Sequence, residues 1–546
     1  MYLKNQISTK IEKLKTINNH LLKNTLYGIE KETLRVTDKG NLSVNSHPKT
    51  LGSKLTNKFI TTDYSESQLE LITEPKNTIE ETLNYLTNIT YYISQNIGQQ
   101  LLWPCSIPCV LPNEKEIPIA YYGQSNQGKL KELYRIGLKY RYGKSMQMIS
   151  GIHFNYSFSN EFLQAYLKII NNKENINQND IDNIYLGLSR NYLRYGWVIT
   201  YLFGASPIVH EKFLHNKSPT ALYLKPDSQN FKNTHEYYAQ YGTSLRMSEL
   251  GYHNKKLSEN MVSLNSLEKY IHDVAKAIST ENSEFLKIGV KTQNNKYLQI
   301  NANNLQIENE LYSPIRLKSL KDKKLSNLKN LAKSGIQYIE LRNIDINPFS
   351  IAGFDIEQGY FTEIFLFFCT LLESPEFSDN KLELLAINNN LEKITTFGRH
   401  EGLTIRYKNQ DIFLQDLLKE IFESLEIISG FLDDITNSKD NKYKSAFITY
   451  KNKLNNNKTF SEQIYNNIYN FDSNKFNSFQ DFGLSIALQN KKYFTEEFAG
   501  KINQDIINEI KRDISNSIKE FEKIETTKEV SFDEFLNNFN KTQAQL

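Results

Sequence analysis

A chain of 546 residues with 39% hydrophobic content can bury a sizeable core and is long enough for about two to four domains. Its 65 basic and 62 acidic side chains are spread along the whole length for a net charge of +3, so no basic field points to nucleic acid or a membrane surface and small molecules are the expected partners. Three cysteines (Cys105, Cys109 and Cys369) make no disulfide framework, and no second cysteine or histidine pair completes a zinc site; a reducing cytoplasm fits.

The N-terminal stretch MYLKNQISTKIEKLKTINNHLLKN lacks the apolar core of a signal peptide and reads as an amphipathic helix, with Ile7, Ile11, Leu14 and Ile17 near helical spacing. Residues 26–36, LYGIEKETLRV, read as a strand. Side chains alternate across a strand, so Glu30 and Glu32 share a face at roughly 6–7 Å. Beside Lys31 and Arg35 they also fit an exposed edge strand with cross-strand ion pairs. A second strand, SQLELIT (67–73), sets Glu70 opposite Leu69 and Leu71, with Asp63 in the turn leading into it. The neighbouring Glu66 and Glu74 are expected to face solvent.

A helix over 79–98 follows. GQSNQGKL (123–130) matches the first seven positions of the phosphate-binding G-x-x-x-x-G-K-[ST] loop and fails at Leu130, so it reads as a glycine-bearing loop whose backbone N–H groups are available to an anion. QMISGIHFNYSF (147–158) reads as a strand with Gln147, Ile149, His153 and Asn155 on one face and Met148, Ile152, Phe154, Tyr156 and Phe158 on the other. A helix over 179–203 is stopped by Gly204 and Pro207, and its apolar patch at 197–207 is too short to span a bilayer, so a soluble protein is expected.

Another helix at 263–279 is followed by strands at 297–301, 305–316 and 335–346, the last carrying Glu340 and Arg342 two positions apart. From about residue 355 the pattern is mostly helical, clearest at 356–374, 412–430 and 501–522. No G-x-G-x-x-G follows a strand, and neither H-E-x-x-H nor G-x-S-x-G occurs, which removes support for redox-cofactor, zincin and serine hydrolase readings.

Strands scattered among helices without a β-α-β rhythm favour an antiparallel or mixed sheet of the α+β class. If they pair into one sheet, Glu30, Glu32, Asp63, Glu70, His153 and Glu340 converge on one cavity, where like charges repel unless cations neutralise them. Oxygen-rich ligands with one imidazole suit Mg²⁺ or Mn²⁺ better than zinc. His153 alone also fits a satisfied core histidine, and Arg342 beside Glu340 a structural pair at the sheet end.

Several blocks together, YGIEKETLRV, TTDYSESQLELIT, WPCSIPC, QMISGIHFNYSF, YLGLSRNYLRYGWVITYLFGASP, QYGTSLRMSELGY, LQIENELYSPIR and GIQYIELRNIDINPFS, resemble the glutamate–cysteine ligase family of the gamma-proteobacterial type, in order from about residue 20 to about 375. The resemblance implies a glutamine-synthetase-like fold: a cupped, mainly antiparallel β-sheet wrapped by helices. One domain over 1–546 is expected, with about 376–546 as a mostly helical part packed on the catalytic sheet. The implied activity is ATP-dependent ligation of the γ-carboxylate of L-glutamate to the amine of L-cysteine through a γ-glutamyl phosphate, the first step of glutathione biosynthesis. A cytoplasmic monomer is expected, without the second half of a bifunctional glutathione synthetase.

Carried onto this chain, the family's metal ligands for Mg²⁺ or Mn²⁺ are Glu30, Glu32, Asp63, Glu70, His153 and Glu340, and Arg342 acts with Glu340 in catalysis. Arg246 corresponds to the partner of the cysteine carboxylate, with the Tyr252 and Tyr312 hydroxyls beside it. Tyr64, Tyr134, Leu138 and Gln147 correspond to the thiol pocket, and Ile149 and Asn155 to glutamate contacts. Tyr64 stands where relatives often carry Phe.

Overall fold

The computed structural model describes residues 2–15, 21–214, 224–226, 234–251, 262–322, 324–378, 381–436, 438, 440–470 and 475–544. Its main sheet is built from Leu26–Val36 (β1), Ile60–Thr62 (β2), Gln68–Ile72 (β3), Leu101–Leu102 (β4), Ile152–Ser157 (β5), Ile315–Lys318 (β6) and Tyr338–Ile344 (β7). The order is β2-β3-β1-β5-β7-β6, with the short β4 also on β1, and every pairing is antiparallel. This is the mainly antiparallel α+β arrangement that the irregular strand spacing implied. β1 lies inside the sheet, paired on both sides, and Lys31 and Arg35 are buried, so the exposed-edge alternative for Glu30 and Glu32 does not hold.

Register aligns the polar positions. Glu30 stands opposite His153 and Glu32 opposite Glu70, while Glu340 faces Asn155 on one side and Arg316 on the other. Period-2 alternation sends Ile29, Leu69, Leu71, Phe154, Ile339 and Leu341 to the other face, where all are buried. Their apolar cluster is continuous with residues from Leu3 near one end of the chain to Ile514 near the other.

The helices that matter below are Tyr2–Leu14 (α1), Ile79–Asn96 (α2), Asn126–Tyr142 (α3), Gln178–Tyr195 (α4), Trp197–Phe203 (α5), Leu267–Ser279 (α6), Ile356–Leu371 (α7), Leu414–Thr436 (α8), Lys442–Asn455 (α9), Gln504–Thr526 (α10) and Phe532–Ala544 (α11). α1 buries Leu3, Ile7, Ile11 and Leu14 as its spacing requires; Ile17 lies outside the described residues. The helix expected over 179–203 is split into α4 and α5 at Gly196, where ψ is −11°. α7 is buried from Gln358 to Leu371 and packs against α2, α4, α8 and α9 behind the sheet. No helix among the described residues is long and apolar enough to cross a membrane.

Three expectations need correction. Residues 123–130 are not simply a loop: Ser125 caps a helix by accepting from Gly128 N, and α3 runs from Asn126. Residues 147–151 precede β5 as a 3₁₀ turn, Met146–Met148, followed by extended chain. The expected strands at 297–301 and 305–316 reduce to Ile315–Lys318. Buried side chains there satisfy backbone groups that a ladder would otherwise use. Gln306 Oε1 accepts from Ile300 N at 3.1 Å and Glu310 Oε2 from Gln306 N at 2.7 Å, while Arg141 binds Gln299 and Glu310 at 2.9 Å each.

Candidate active site

The polar face of the sheet forms one wall of a cavity of about 380 Å³. β1 contributes Glu30 and Glu32, the β2–β3 turn Asp63 and Tyr64, and β3 Glu70. His153 comes from β5, Lys318 from β6, and Glu340 and Arg342 from β7. The opposite wall is α3, with Lys131, Tyr134, Arg135 and Leu138.

The centre is tight. Glu30, His153 and Glu340 each offer a ligand atom, and these lie within 4.8 Å of one another. His153 Nδ1 is 3.2 Å from Glu30 Oε2 and 3.5 Å from Glu340 Oε1, and its Nε2 is 3.6 Å from Glu32 Oε1. Asn155 Nδ2 donates to Glu30 Oε1 at 3.0 Å, and Gly151 N to Glu32 Oε2 at 2.8 Å. Arg342 Nη1 donates to Glu340 Oε1 at 2.9 Å, while Lys318 Nζ stands 3.1 Å from Glu340 Oε2. The main chain at Asp63 is clamped from α3 and its approach: Arg135 donates to the Thr62 and Asp63 carbonyls, and the Tyr122 hydroxyl to Thr62 O at 2.7 Å.

The carboxylates divide into two electrostatic groups. Burial and the charge of Asp63 push Glu32 up to about 8. Burial, with Glu30, Asp63 and Glu32 nearby, lifts Glu70 well above the ordinary carboxylate range. Burial also works against ionised Glu340, but Lys318, Arg342 and His153 hold it well below that range. Glu30 is held below its ordinary value by the His153 hydrogen bond in spite of burial. Burial and Arg342 lower His153. One side of the cavity therefore favours negative charge and the other, buried among like charges, disfavours it.

Tyr64, Tyr134, Leu138, Gln147 and Tyr312 all line the cavity. Tyr64 is 1% exposed, and its hydroxyl has no protein partner among the described residues. Ile149 does not line the cavity: it is fully buried, and its carbonyl accepts from Gln68 Nε2 at 2.8 Å. Asn155 reaches the site through Glu30. Arg246 also stands behind the wall, with Nη1 3.7 Å from Asp345 Oδ1 and Nη2 donating to Arg342 O at 2.8 Å. Gly151 makes room for it, since a Cβ there would lie 2.0 Å from Arg246 Nη2. Tyr252 lies outside the described residues.

Glu66 is a further correction, because it does not face solvent. It is buried, pairs with Lys54, and accepts from His47 N and Tyr121 N at 2.7 Å each, so it ties three segments together. Glu74 is half-buried.

The family model for glutamate–cysteine ligase matches residues 11–394. The chain belongs to the glutamate–cysteine ligase family. It is 38% identical over 505 residues to the glutamate–cysteine ligase of Wigglesworthia glossinidia brevipalpis, covering 92% of this chain and 96% of that one. With the Serratia proteamaculans enzyme of the same name it shares 42% over 416 residues, 76% of this chain and 78% of that one. Among solved structures it is similar to the Francisella tularensis glutamate–cysteine ligase in complex with AMP, with a TM-score of 0.85, 30% identity, and coverage of 97% of this chain and 99% of that one. A bifunctional glutathione synthetase from Pasteurella multocida shares the fold, with a TM-score of 0.64 and 23% identity over 90% of this chain and 54% of that one.

Within this ligase-family cavity, sequence reasoning missed Lys131, Arg135, Arg316, Lys318 and Phe539. Arg316 and Lys318 carried a signal, two positions apart in a β pattern ending against Glu340's strand. Lys131 and Arg135 required recognising α3. Phe539, in the polar C-terminal stretch, carried none.

Proposed function

We propose that this member of the glutamate–cysteine ligase family joins L-glutamate to L-cysteine at the cavity described above, with ATP converted to ADP and phosphate, and that the reaction runs through a γ-glutamyl phosphate. The observation that carries the reading is the meeting of Glu30, His153 and Glu340 beside Arg342 on one face of the sheet. The AMP held by the Francisella relative supports ATP as the co-substrate.

The donor set, carboxylate oxygens with a single imidazole, fits Mg²⁺ or Mn²⁺. Glu30, His153 and Glu340 would hold one ion, with Glu32, Asp63 and Glu70 on the same wall available to others. When bound, such ions supply the positive charge that lets an anionic carboxylate approach triphosphate oxygens. The protein does the rest. Arg342, oriented by Glu340, presents guanidinium N–H groups to the charge developing on the transferring phosphoryl group. The cavity walls hold the glutamate γ-carboxylate in line with the terminal phosphate and then bring the cysteine amine to the acyl carbon, replacing a chance encounter by a fixed approach. That amine forms the new C–N bond, loses a proton, and phosphate departs.

Tyr64, Tyr134, Leu138 and Gln147 are read as the cysteine side-chain pocket, with Tyr312 beside it, and Asn155 as the glutamate side. Arg246 is read as a positioning residue that holds the Arg342 main chain. A cytoplasmic monomer is the working form we propose; three buried free thiols suit that compartment.

With the purified chain and MgATP, phosphate release requires both L-glutamate and L-cysteine and mass spectrometry finds γ-glutamylcysteine. Equal release without cysteine, or preference for another amine in a panel, overturns the reading.

A further inference from the structure

The end of the chain returns to the cavity. α11 packs on α3 and α6, and its Leu536 joins Leu133 of α3 and Ile300 in a small apolar cluster that is distinct from the main core. Tyr134 packs against both clusters and lines the cavity. Phe539, one turn beyond Leu536, packs on the small cluster and is itself a wall of the cavity. An element held by three buried apolar residues can open at far lower free energy than the global core.

Polar contacts secure this region as well. At the start of α3, Gln124 N and Ser125 N donate to Glu525 at 2.7 Å each, and Asn126 N donates to Glu529 Oε2 at 2.6 Å. These amides lead into the N-terminal end of α3, where the helix dipole favours anions, and the carboxylates of Glu525, in the last turn of α10, and Glu529, in the connection to α11, accept from them. On α11 itself, Asp533 pairs with Lys291 at 3.1 Å, and Asn540 Oδ1 accepts from Asn301 Nδ2 at 3.1 Å. The P-loop-like segment is thus a fastening point for the C-terminal helix.

We propose that α11 is a closing element of the substrate cavity, latched to α3 by Glu525 and Glu529, with Phe539 enclosing the uncharged part of a substrate. The charged wall of the sheet takes phosphate and carboxylate groups. The end where Tyr134, Ile307 and Phe539 meet takes what carries no charge, the cysteine side chain or the adenine ring. This rests on the ligase reading.

The full-length chain tests it in two ways. Phe539→Ala raises KM for L-cysteine or for ATP by about tenfold, as loss of roughly 1.4 kcal/mol of contact would, with a smaller change in kcat. Whichever KM moves identifies the enclosed group, and Phe539→Leu restores most of it. Hydrogen exchange supplies a readout that does not depend on turnover. Amides of 532–544 slow when MgATP and L-glutamate are added, and in Glu525→Gln/Glu529→Gln they exchange about tenfold faster in the free protein, as loss of charge-assisted bonds predicts. Unchanged KM for both cysteine and ATP in a Phe539→Ala protein of wild-type melting temperature overturns the proposal. So does exchange in 532–544 that is indifferent to substrates. A wild-type chain that releases no phosphate with both amino acids defeats the ligase reading instead, and exchange then decides the closing element alone.

Discussion

The two faces of the main sheet both bury carboxylates, under opposite conditions. Behind the sheet, Glu363 of α7 is fully buried and accepts from Tyr27 Oη of β1 at 2.7 Å, Tyr156 Oη of β5 at 3.0 Å and Tyr443 Oη of α9 at 2.8 Å. Three neutral donors replace the water it lost, and they join α7 to two strands of the sheet and to α9. On the cavity face, Glu30, Glu32 and Glu70 stand beside one another with Asp63 close by, and mutual repulsion adds to burial in lifting Glu70. One arrangement satisfies a charge and so contributes to the fold. The other crowds carboxyl groups whose ionised form burial and like charges disfavour, which costs stability.

Substitutions can break that contrast. The largest expected effect is on the cavity face: Glu340→Gln reduces turnover on the order of 10²-fold or more, measured by phosphate release with both amino acids saturating. Wild-type turnover would remove Glu340 from the site. Behind the sheet the effect moves from activity to stability. Glu363→Ala leaves three buried phenols unpartnered and costs about 3 kcal/mol in urea unfolding, while the protein that remains folded keeps most of its turnover. A neutral result would mean that the tyrosine cluster contributes nothing to holding α7.

A smaller change sharpens the comparison because its sign is reversed. Glu70→Gln removes a carboxyl that burial and like charges disfavour, and raises metal-free stability by about 1 kcal/mol; a lower urea midpoint would show that its charge is already compensated. The smallest effect is a pH slope. Burial, with the three donors opposing it, raises Glu363 above its ordinary value, so over that interval the folded chain keeps a proton that the unfolded chain has lost. This contribution is full below about pH 4.3 and is lost as pH rises through the folded value, at no more than about 1.4 kcal/mol per pH unit. Glu363→Gln cannot titrate, so the stability difference between wild type and variant shrinks from pH 4 upward. A difference that widens with pH would reverse the assignment.

The sheet side of the cavity was legible because strand periodicity is short-range. LYGIEKETLRV forms β1 over the expected residues 26–36, and i, i+2 arithmetic on three strands places Glu30 with Glu32, His153 with Asn155, and Glu340 with Arg342. Register between strands brought them to one cavity, which no single strand could reveal. Glu66 was misjudged because its partners, Lys54, His47 N and Tyr121 N, come from aperiodic segments. The 297–316 region alternates like a strand, yet its buried Gln299, Gln306 and Glu310 bond to Arg141 and to loop backbone instead of a neighbouring strand. The contacts of Arg246 with Asp345 and Arg342 O are set by tertiary packing, which no local pattern around residue 246 reveals. Phe539 joined the cavity through a contact with α3 some 400 residues earlier in the chain, beyond any local pattern.

The claim that the cavity-face carboxylates form a cation-dependent working site is tested most directly by Mn²⁺ binding, followed by electron paramagnetic resonance in wild type, Glu340→Gln and Glu363→Gln. Wild type and Glu363→Gln should bind Mn²⁺ alike in the presence of ATP, with Glu340→Gln weaker by roughly 10–100-fold, as expected for loss of a ligand or its close support. Equal Mn²⁺ affinity in wild type and a folded Glu340→Gln would contradict the account.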